Sequence, residues 1–176
     1  RMGETLWTYA NGLDDSPVQS YDAKADPKSI SSSTTLPRDI TTERDVRATL
    51  FGLAETVAEN LRRHGLRAGE VQITLRSSDF KEVQRQKRLA APACDCRSIY
   101  LAAVELYRRE NTGWALRLLG IKAGRLTPAQ ESQMSLFGEP QEQRRLEDLE
   151  NTVDRVRERF GKDSISRAFQ LEKRSD

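Results

Sequence analysis

The sequence predicts an α+β fold in the order β-α-β-β-α-β, with a four-stranded sheet, two helices on one face of it, and a C-terminal helical tail. Two observations carry this prediction. Apolar residues recur at helical spacing over 46–61 and again over 99–110. Between these stretches, Val71, Ile73 and Leu75 alternate with polar residues, as in a strand with one buried side.

The chain begins with a short helical stretch, 4–11, followed by Gly12, which can end a helix at no steric cost. A helix this short is unstable alone, so we expect it to belong to a larger domain. Residues 13–27 are rich in Asp, Ser, Pro and Ala and predict a linker. The first strand is predicted over 28–36, where small hydroxyl side chains predominate.

The first long helix has the clearest boundaries in the sequence. Thr42 is a good N-cap, Asp45 follows three residues later, and Gly65 can close the helix. Its apolar residues are spaced to face one core. They are Val46, Leu50, Leu53, Ala54, Val57, Ala58 and Leu61.

Two strands are predicted next, over 71–76 and roughly 80–89, joined by a turn at 77–79. Pro92 is expected to end the second strand, because proline lacks the N–H that a sheet uses. The pair therefore forms a hairpin in the middle of the chain.

Ser98 is expected to cap the second helix, over 99–110, and the last strand is predicted over 114–121. Residues 126–143 contain two prolines and a glycine and are expected to be irregular. Over 144–160, apolar residues recur at spacings of three and four, which predicts an amphipathic tail helix.

Two helices on one face leave the other face of the sheet to solvent or to a ligand. On the strand over 71–76, the uncovered side presents Gln72, Thr74 and Arg76. A polar and basic open face is suited to a phosphate backbone.

Charge is distributed unevenly, although the net charge is only +2. The net charge is −4 over 1–61, +8 over 62–125 and −2 over 126–176. A basic block between acidic flanks is typical of a protein that binds a polyanion such as DNA or RNA.

Other chemistries find little support. Cys94 and Cys96 are the only cysteines and His64 is the only histidine, so neither a disulfide framework nor a zinc site is expected. Asp14 and Asp15 lie in linker-like sequence, and no glycine-rich phosphate loop is present. No stretch is apolar enough for a membrane span or a secretory signal. We expect a cytoplasmic protein with no catalytic residues and no cofactor in this chain.

Five short motifs together resemble the C-terminal part of Y-family translesion DNA polymerases, most closely the bacterial DNA polymerase IV and UmuC-like group. They occur in the family's order over nearly the whole chain. The motifs are Leu6-Trp7 with 10–18, Lys28-Ser29-Ile30-Ser31, Arg76-Ser77-Ser78-Asp79-Phe80, Arg117-Leu118-Leu119-Gly120-Ile121, and Phe160-Gly161 with Ile165-Ser166-Arg167-Ala168.

The resemblance implies five regions. Residues 1–16 would end a thumb domain, 17–27 would be a linker, and 28–125 would form the little finger domain. A loop over 126–143 and a helical tail over 144–176 would follow.

The resemblance also implies that the little finger grips primer-template DNA through its backbone, while magnesium is bound in a palm domain outside this chain. The expected DNA contacts are hydroxyl or basic side chains. They are Lys28, Ser29, Ser31, Arg76, Ser78, Arg85, Lys87, Arg88 and Arg117.

A second motif lies in the predicted loop and resembles the pentapeptide that binds the bacterial sliding clamp. It comprises Gln133, Met134, Ser135, Leu136 and Phe137. Leu136 and Phe137 would supply two adjacent apolar anchors, and Gln133 an amide at the rim of a pocket. The alternative is a loop pinned to its own domain by these two apolar side chains.

Two other functions stay open at this stage. One is a nucleic-acid module unrelated to polymerases, although sheets that read RNA usually expose aromatic residues for stacking. The other is a structural domain that dimerises through its tail helix. Binding to primed duplex DNA would separate the two.

Overall fold

A computed structural model describes residues 2–18, 20, 27–110, 113–129 and 141–165. Within them, the predicted β-α-β-β-α-β order is confirmed, and a further helix lies at each end. The elements are α1 (Met2–Ala10), β1 (Ile30–Ile40), α2 (Glu43–Arg63), β2 (Leu66–Ser77), β3 (Glu82–Ala93), α3 (Cys96–Glu110), β4 (Leu116–Pro128) and α4 (Gln141–Phe160).

The four strands form one antiparallel sheet in the order β1-β4-β2-β3, so that β1 and β3 are its edges. Helices α2 and α3 pack against one face. Their apolar sides meet Val71, Ile73 and Leu75 of β2 and Leu119 and Ile121 of β4, all of which are buried. The predicted α+β class and the single helix-covered face are therefore confirmed.

The start of α2 agrees with the sequence. Thr42 is the N-cap, and its hydroxyl oxygen accepts a hydrogen bond from the Asp45 N–H at 3.1 Å. The helix ends at Arg63, and Gly65 follows with φ of 63°, in the left-handed region that glycine tolerates. Local capping chemistry is enough to set both boundaries.

The residues predicted to begin α3 and to end β3 are wrong. Asp95, not Ser98, caps α3: its Oδ1 accepts the Ser98 N–H at 2.7 Å. Pro92 lies inside β3 rather than after it. Proline is tolerated there because β3 is an edge strand and its pairing with β2 is interrupted between Arg88 and Ala93.

The last strand is longer than predicted, because β4 runs to Pro128 and the Ala129 N–H still donates to the Gly65 carbonyl at 2.8 Å. The irregular stretch expected over 126–143 is therefore wrong at both of its ends, where 126–128 belong to β4 and 141–143 to α4. The tail helix itself is confirmed.

Candidate nucleic-acid interface

The side of the sheet away from the helices, called here the open face, includes three rows of side chains that cross all four strands. Strand register defines the rows, because directly paired residues point to the same side. They are Ser31-Lys122-Gln72-Gln86, Ser33-Gly120-Thr74-Gln84 and Thr35-Leu118-Arg76-Glu82.

The centre of the open face is low and polar. Gly120 lies between Ser33 and Thr74, and a Cβ built on it would come within 3.2 Å of the Ser33 Cβ and 3.5 Å of the Thr74 Cβ. These short side chains leave a shallow groove of about 310 Å³ across the sheet. Without tall side chains, a phosphate backbone can approach the strands closely.

Charge on the open face is partly free and partly paired. Within the described residues, Lys122 has no ion-pair partner, and it is exposed. Arg76 donates from Nε to Glu82 at 2.6 Å across the hairpin, and this hydrogen bond lowers the pKa of the Glu82 carboxyl. The register also places Arg88, which is exposed, on this side of β3.

Of the residues predicted to contact DNA, Ser31, Arg76 and Arg88 lie on the open face. Lys28 and Ser29 precede β1 and are exposed. Their contacts with DNA stay predictions. All five residues lie either on the open face or directly before the edge strand β1.

Arg85 and Lys87 lie instead on the helix-covered side, because they pair with Ile73 and Val71 of β2. Arg85 contacts Glu110 of α3 at 2.6 Å, and Lys87 forms an ion pair with Glu105 of the same helix. The Lys87 hydrogen bond lowers the pKa of Glu105. Both cations therefore already have a carboxylate partner.

Ser78 and Arg117 meet at the end of the sheet where β2 turns into β3. Arg117 Nε donates to Asp39 Oδ1 at 2.5 Å, and the Ser78 side chain lies near enough to the same carboxylate to help lower its pKa. These interactions, with the Arg117 hydrogen bond the largest, lower the pKa of Asp39. The two predicted contact residues thus brace the hairpin turn.

Sequence reasoning missed Lys122 as a candidate. The signal was present, because Leu118, Gly120 and Lys122 alternate with the buried Leu119 and Ile121. The strand was predicted to stop at residue 121, one position too early to include the lysine.

A second cluster of charges, called here the α4 seam, joins the tail helix to the domain. Arg62 of α2 pairs with both Glu150 and Asp154, and Arg67 of β2 pairs with Glu147 at 2.7 Å. The Arg62 and Glu150 side chains are only 9% and 5% exposed. Burial alone would lower the pKa of Arg62. The Asp154 hydrogen bond and the charges of Glu150 and Asp154 outweigh burial, so the pKa lies above its ordinary value.

Glu150 also completes the start of α3. Its two carboxylate oxygens accept the Cys96 N–H at 3.1 and 3.0 Å, and Arg62 Nη1 donates to the Cys94 carbonyl at 3.0 Å. A carboxylate at a helix N-terminus is favourable because it satisfies an unpaired N–H and the helix dipole. The tail helix is therefore fastened to the domain by ion pairs that are almost closed to water.

The five residues of the clamp-binding motif, 133–137, lie outside the described residues. Over the described part of the chain, no helix is both long and apolar enough to cross a membrane. Among the same residues, no group of three or more His, Cys, Asp or Glu side chains is placed to hold a metal ion.

Comparison with known proteins gives matches along the whole chain. The model of the impB/mucB/samB family C-terminal domain matches residues 27–136. The DNA polymerase IV of Acetivibrio thermocellus is 38% identical over 176 residues, 99% of this chain and 44% of that protein. That of Clostridium acetobutylicum is 32% identical over 171 residues, 97% of this chain and 42% of that protein. The chain thus spans less than half the length of these relatives.

Among solved structures, a complex of the beta-clamp processivity factor and the little finger domain of PolIV matches with a TM-score of 0.49 and 19% identity. The match covers 61% of this chain and 97% of that chain.

Proposed function

The chain belongs to the impB/mucB/samB family as its C-terminal domain, the C-terminal region of Y-family DNA polymerases, and on this premise we propose that it grips primer-template DNA for an error-prone translesion polymerase. It would hold the phosphate backbone and position the duplex without reading its sequence.

The open face is the observation that carries this proposal. It combines a low centre, hydroxyl and amide side chains, and the exposed Lys122 without an ion-pair partner among the described residues. Hydroxyls, amides and cations are the groups that bind phosphate oxygens in protein–DNA contacts. The helices cover the opposite face, so the duplex would lie against the open one.

Catalysis would belong to the parts of the polymerase outside this chain. Nucleotidyl transfer needs carboxylates that hold magnesium between the reacting phosphates, and the family resemblance assigns these to a palm domain. The domain here would contribute binding, orientation and processivity. We therefore expect it to be inactive as a polymerase on its own.

Binding to a labelled primer-template, measured by fluorescence anisotropy over a range of salt, tests the proposal. We expect weak binding that falls linearly on a log–log plot against salt, with a slope of about −0.9 per phosphate contact. Two probes of unrelated sequence should bind alike. Salt-independent binding, or strong preference for one sequence, would contradict the proposal.

The two alternative functions fit the geometry less well. The strand residues of the open face include no aromatic side chain, whereas sheets that read RNA bases usually present several. The tail helix contacts its own domain through Glu147 and Glu150, which supports an intramolecular role over dimerisation.

We also propose that the segment Gln133–Phe137 binds a bacterial sliding clamp. Burying Leu136 and Phe137 in an apolar pocket contributes roughly 1.5–3 kcal/mol for each side chain. Ordering the segment offsets part of this gain, so one copy should bind at around micromolar affinity. Weak attachment suits a polymerase that must leave after a short bypass.

Replacing both anchors, Leu136→Ala with Phe137→Ala, should abolish clamp binding and leave DNA binding and melting unchanged. The matched control is Leu149→Ala with Phe160→Ala, which removes two exposed apolar side chains of α4 and should leave clamp affinity intact. If Leu136 and Phe137 instead belong to the core, their removal should cost about 2–5 kcal/mol per residue and lower the melting temperature. That result would contradict clamp docking.

A further inference from the structure

Phe80 is an apolar side chain that the domain holds in solvent. It lies in the turn between β2 and β3, and it is 81% exposed. Its φ is 62°, a left-handed conformation that is rare for a bulky residue. Strained backbone of this kind persists where surrounding contacts fix it, and it concentrates at functional sites.

Several contacts fix this turn. The Ser77 N–H donates to the Lys81 carbonyl at 3.0 Å, and the Phe80 N–H donates to the Ser77 carbonyl at 3.1 Å. Asp39 of β1, itself held by Arg117 of β4, lies beside Ser78 of the turn. The backbone bonds of the turn and this neighbouring ion pair together give the ring a preorganised base.

Two basic residues neighbour the turn along the chain or through the residue that faces it. Lys81 follows Phe80 directly, and Arg38 precedes the bracing Asp39 on β1; both are exposed. Over the described ranges, neither has an ion-pair partner. These positive charges are complementary to the phosphates of a nucleic-acid strand that contacts the ring.

We propose that Phe80 stacks on an unpaired base of the single-stranded part of a primer-template, with Arg38 and Lys81 on its phosphates. The proposal rests on DNA binding by the open face. A phenyl ring offers no hydrogen bond, and every base has an aromatic face on which it can stack. Duplex DNA hides those faces within its own stack, so the contact requires an unpaired base.

Two probes test this: a blunt duplex, and the same duplex with a single-stranded tail. Phe80→Ala should weaken binding to the tailed probe by about tenfold, the size of one lost stacking contact. The slope of affinity against salt should not change, because an apolar contact releases no counterions. Affinity for the blunt duplex should equal that of the wild type.

Phe80→Trp is the conservative variant, and it should retain tailed-probe affinity and show quenched indole fluorescence on binding. Leu101→Ala, at an exposed residue of α3, is the matched control and should bind both probes normally. Equal affinity of Phe80→Ala and wild type for the tailed probe, or equal loss on both probes, would overturn the stacking proposal. Failure of wild-type protein to bind even the blunt duplex would instead overturn DNA gripping itself.

Discussion

The open face and the α4 seam both contain basic side chains, but they hold them in opposite states. In the seam, Arg62 and Arg67 are nearly buried and paired with carboxylates of the tail helix. On the open face, Lys122 is exposed and, among the described residues, has no acidic partner. The net charge of a segment therefore does not locate a binding surface, because the partner of each cation decides what it can bind.

The largest effect is expected in the seam, from Glu150→Ala. The substitution leaves Asp154 as the one carboxylate paired with Arg62 and removes the acceptor of the Cys96 N–H, in a site almost closed to water. Breaking a buried ion pair typically costs about 3–5 kcal/mol, and urea denaturation should show a loss near the lower end. Glu158→Ala, at an exposed residue of the same helix, should change stability by less than about 0.5 kcal/mol. Similar stabilities for the two variants would show that the α4 seam does not hold the tail helix to the domain.

Thiol labelling of the same variant gives a local measure of the seam. Burial, with the nearby Glu147 charge, raises the pKa of the Cys94 thiol to about 12, so the native thiol should react very slowly. We expect Glu150→Ala to speed labelling by a disulfide reagent severalfold, as α4 separates from the domain. An unchanged labelling rate together with lowered stability would show that the lost stability arises outside the α4 seam.

A small effect is expected on the open face from Glu82→Gln. The change removes a negative charge and frees Arg76, so DNA affinity should rise by less than about fivefold, while an exposed pair contributes under about 1 kcal/mol to stability. The control is Glu105→Gln, which frees Lys87 on the helix-covered side and should leave DNA affinity unchanged. A larger gain in DNA affinity from the Glu105→Gln control would indicate that the helix-covered side, rather than the open face, binds DNA.

Local patterns predicted most of the fold. Thr42 and Asp45 define the start of α2 through one cap, and the alternation of Val71, Ile73 and Leu75 defines the covered side of β2. Such signals act over a few residues, so one sequence contains them completely. The predicted end of β3 was wrong because a sheet tolerates Pro92 only in an edge strand. Which strand is at the edge depends on the arrangement of the whole sheet.

The candidate site could be predicted only in part, because partners distant in the chain decide which cations are free. Arg85 and Lys87 look suitable in sequence, yet strand register turns them towards Glu110 and Glu105 of α3. Glu150 caps a helix whose first residue lies 54 positions earlier. No local spacing indicates such a contact, so the seam could not be predicted.

The salt dependence of DNA binding by two double variants tests the central claim most directly. One variant, Lys122→Ala with Arg88→Ala, removes two exposed cations of the open face; the other, Arg85→Ala with Lys87→Ala, removes two cations paired with α3. With one phosphate contact per open-face cation, the first should flatten the log–log slope by about 1.8, and the second should leave it close to the wild-type value. A flattened slope for the second variant and an unchanged slope for the first would contradict DNA binding through the open face.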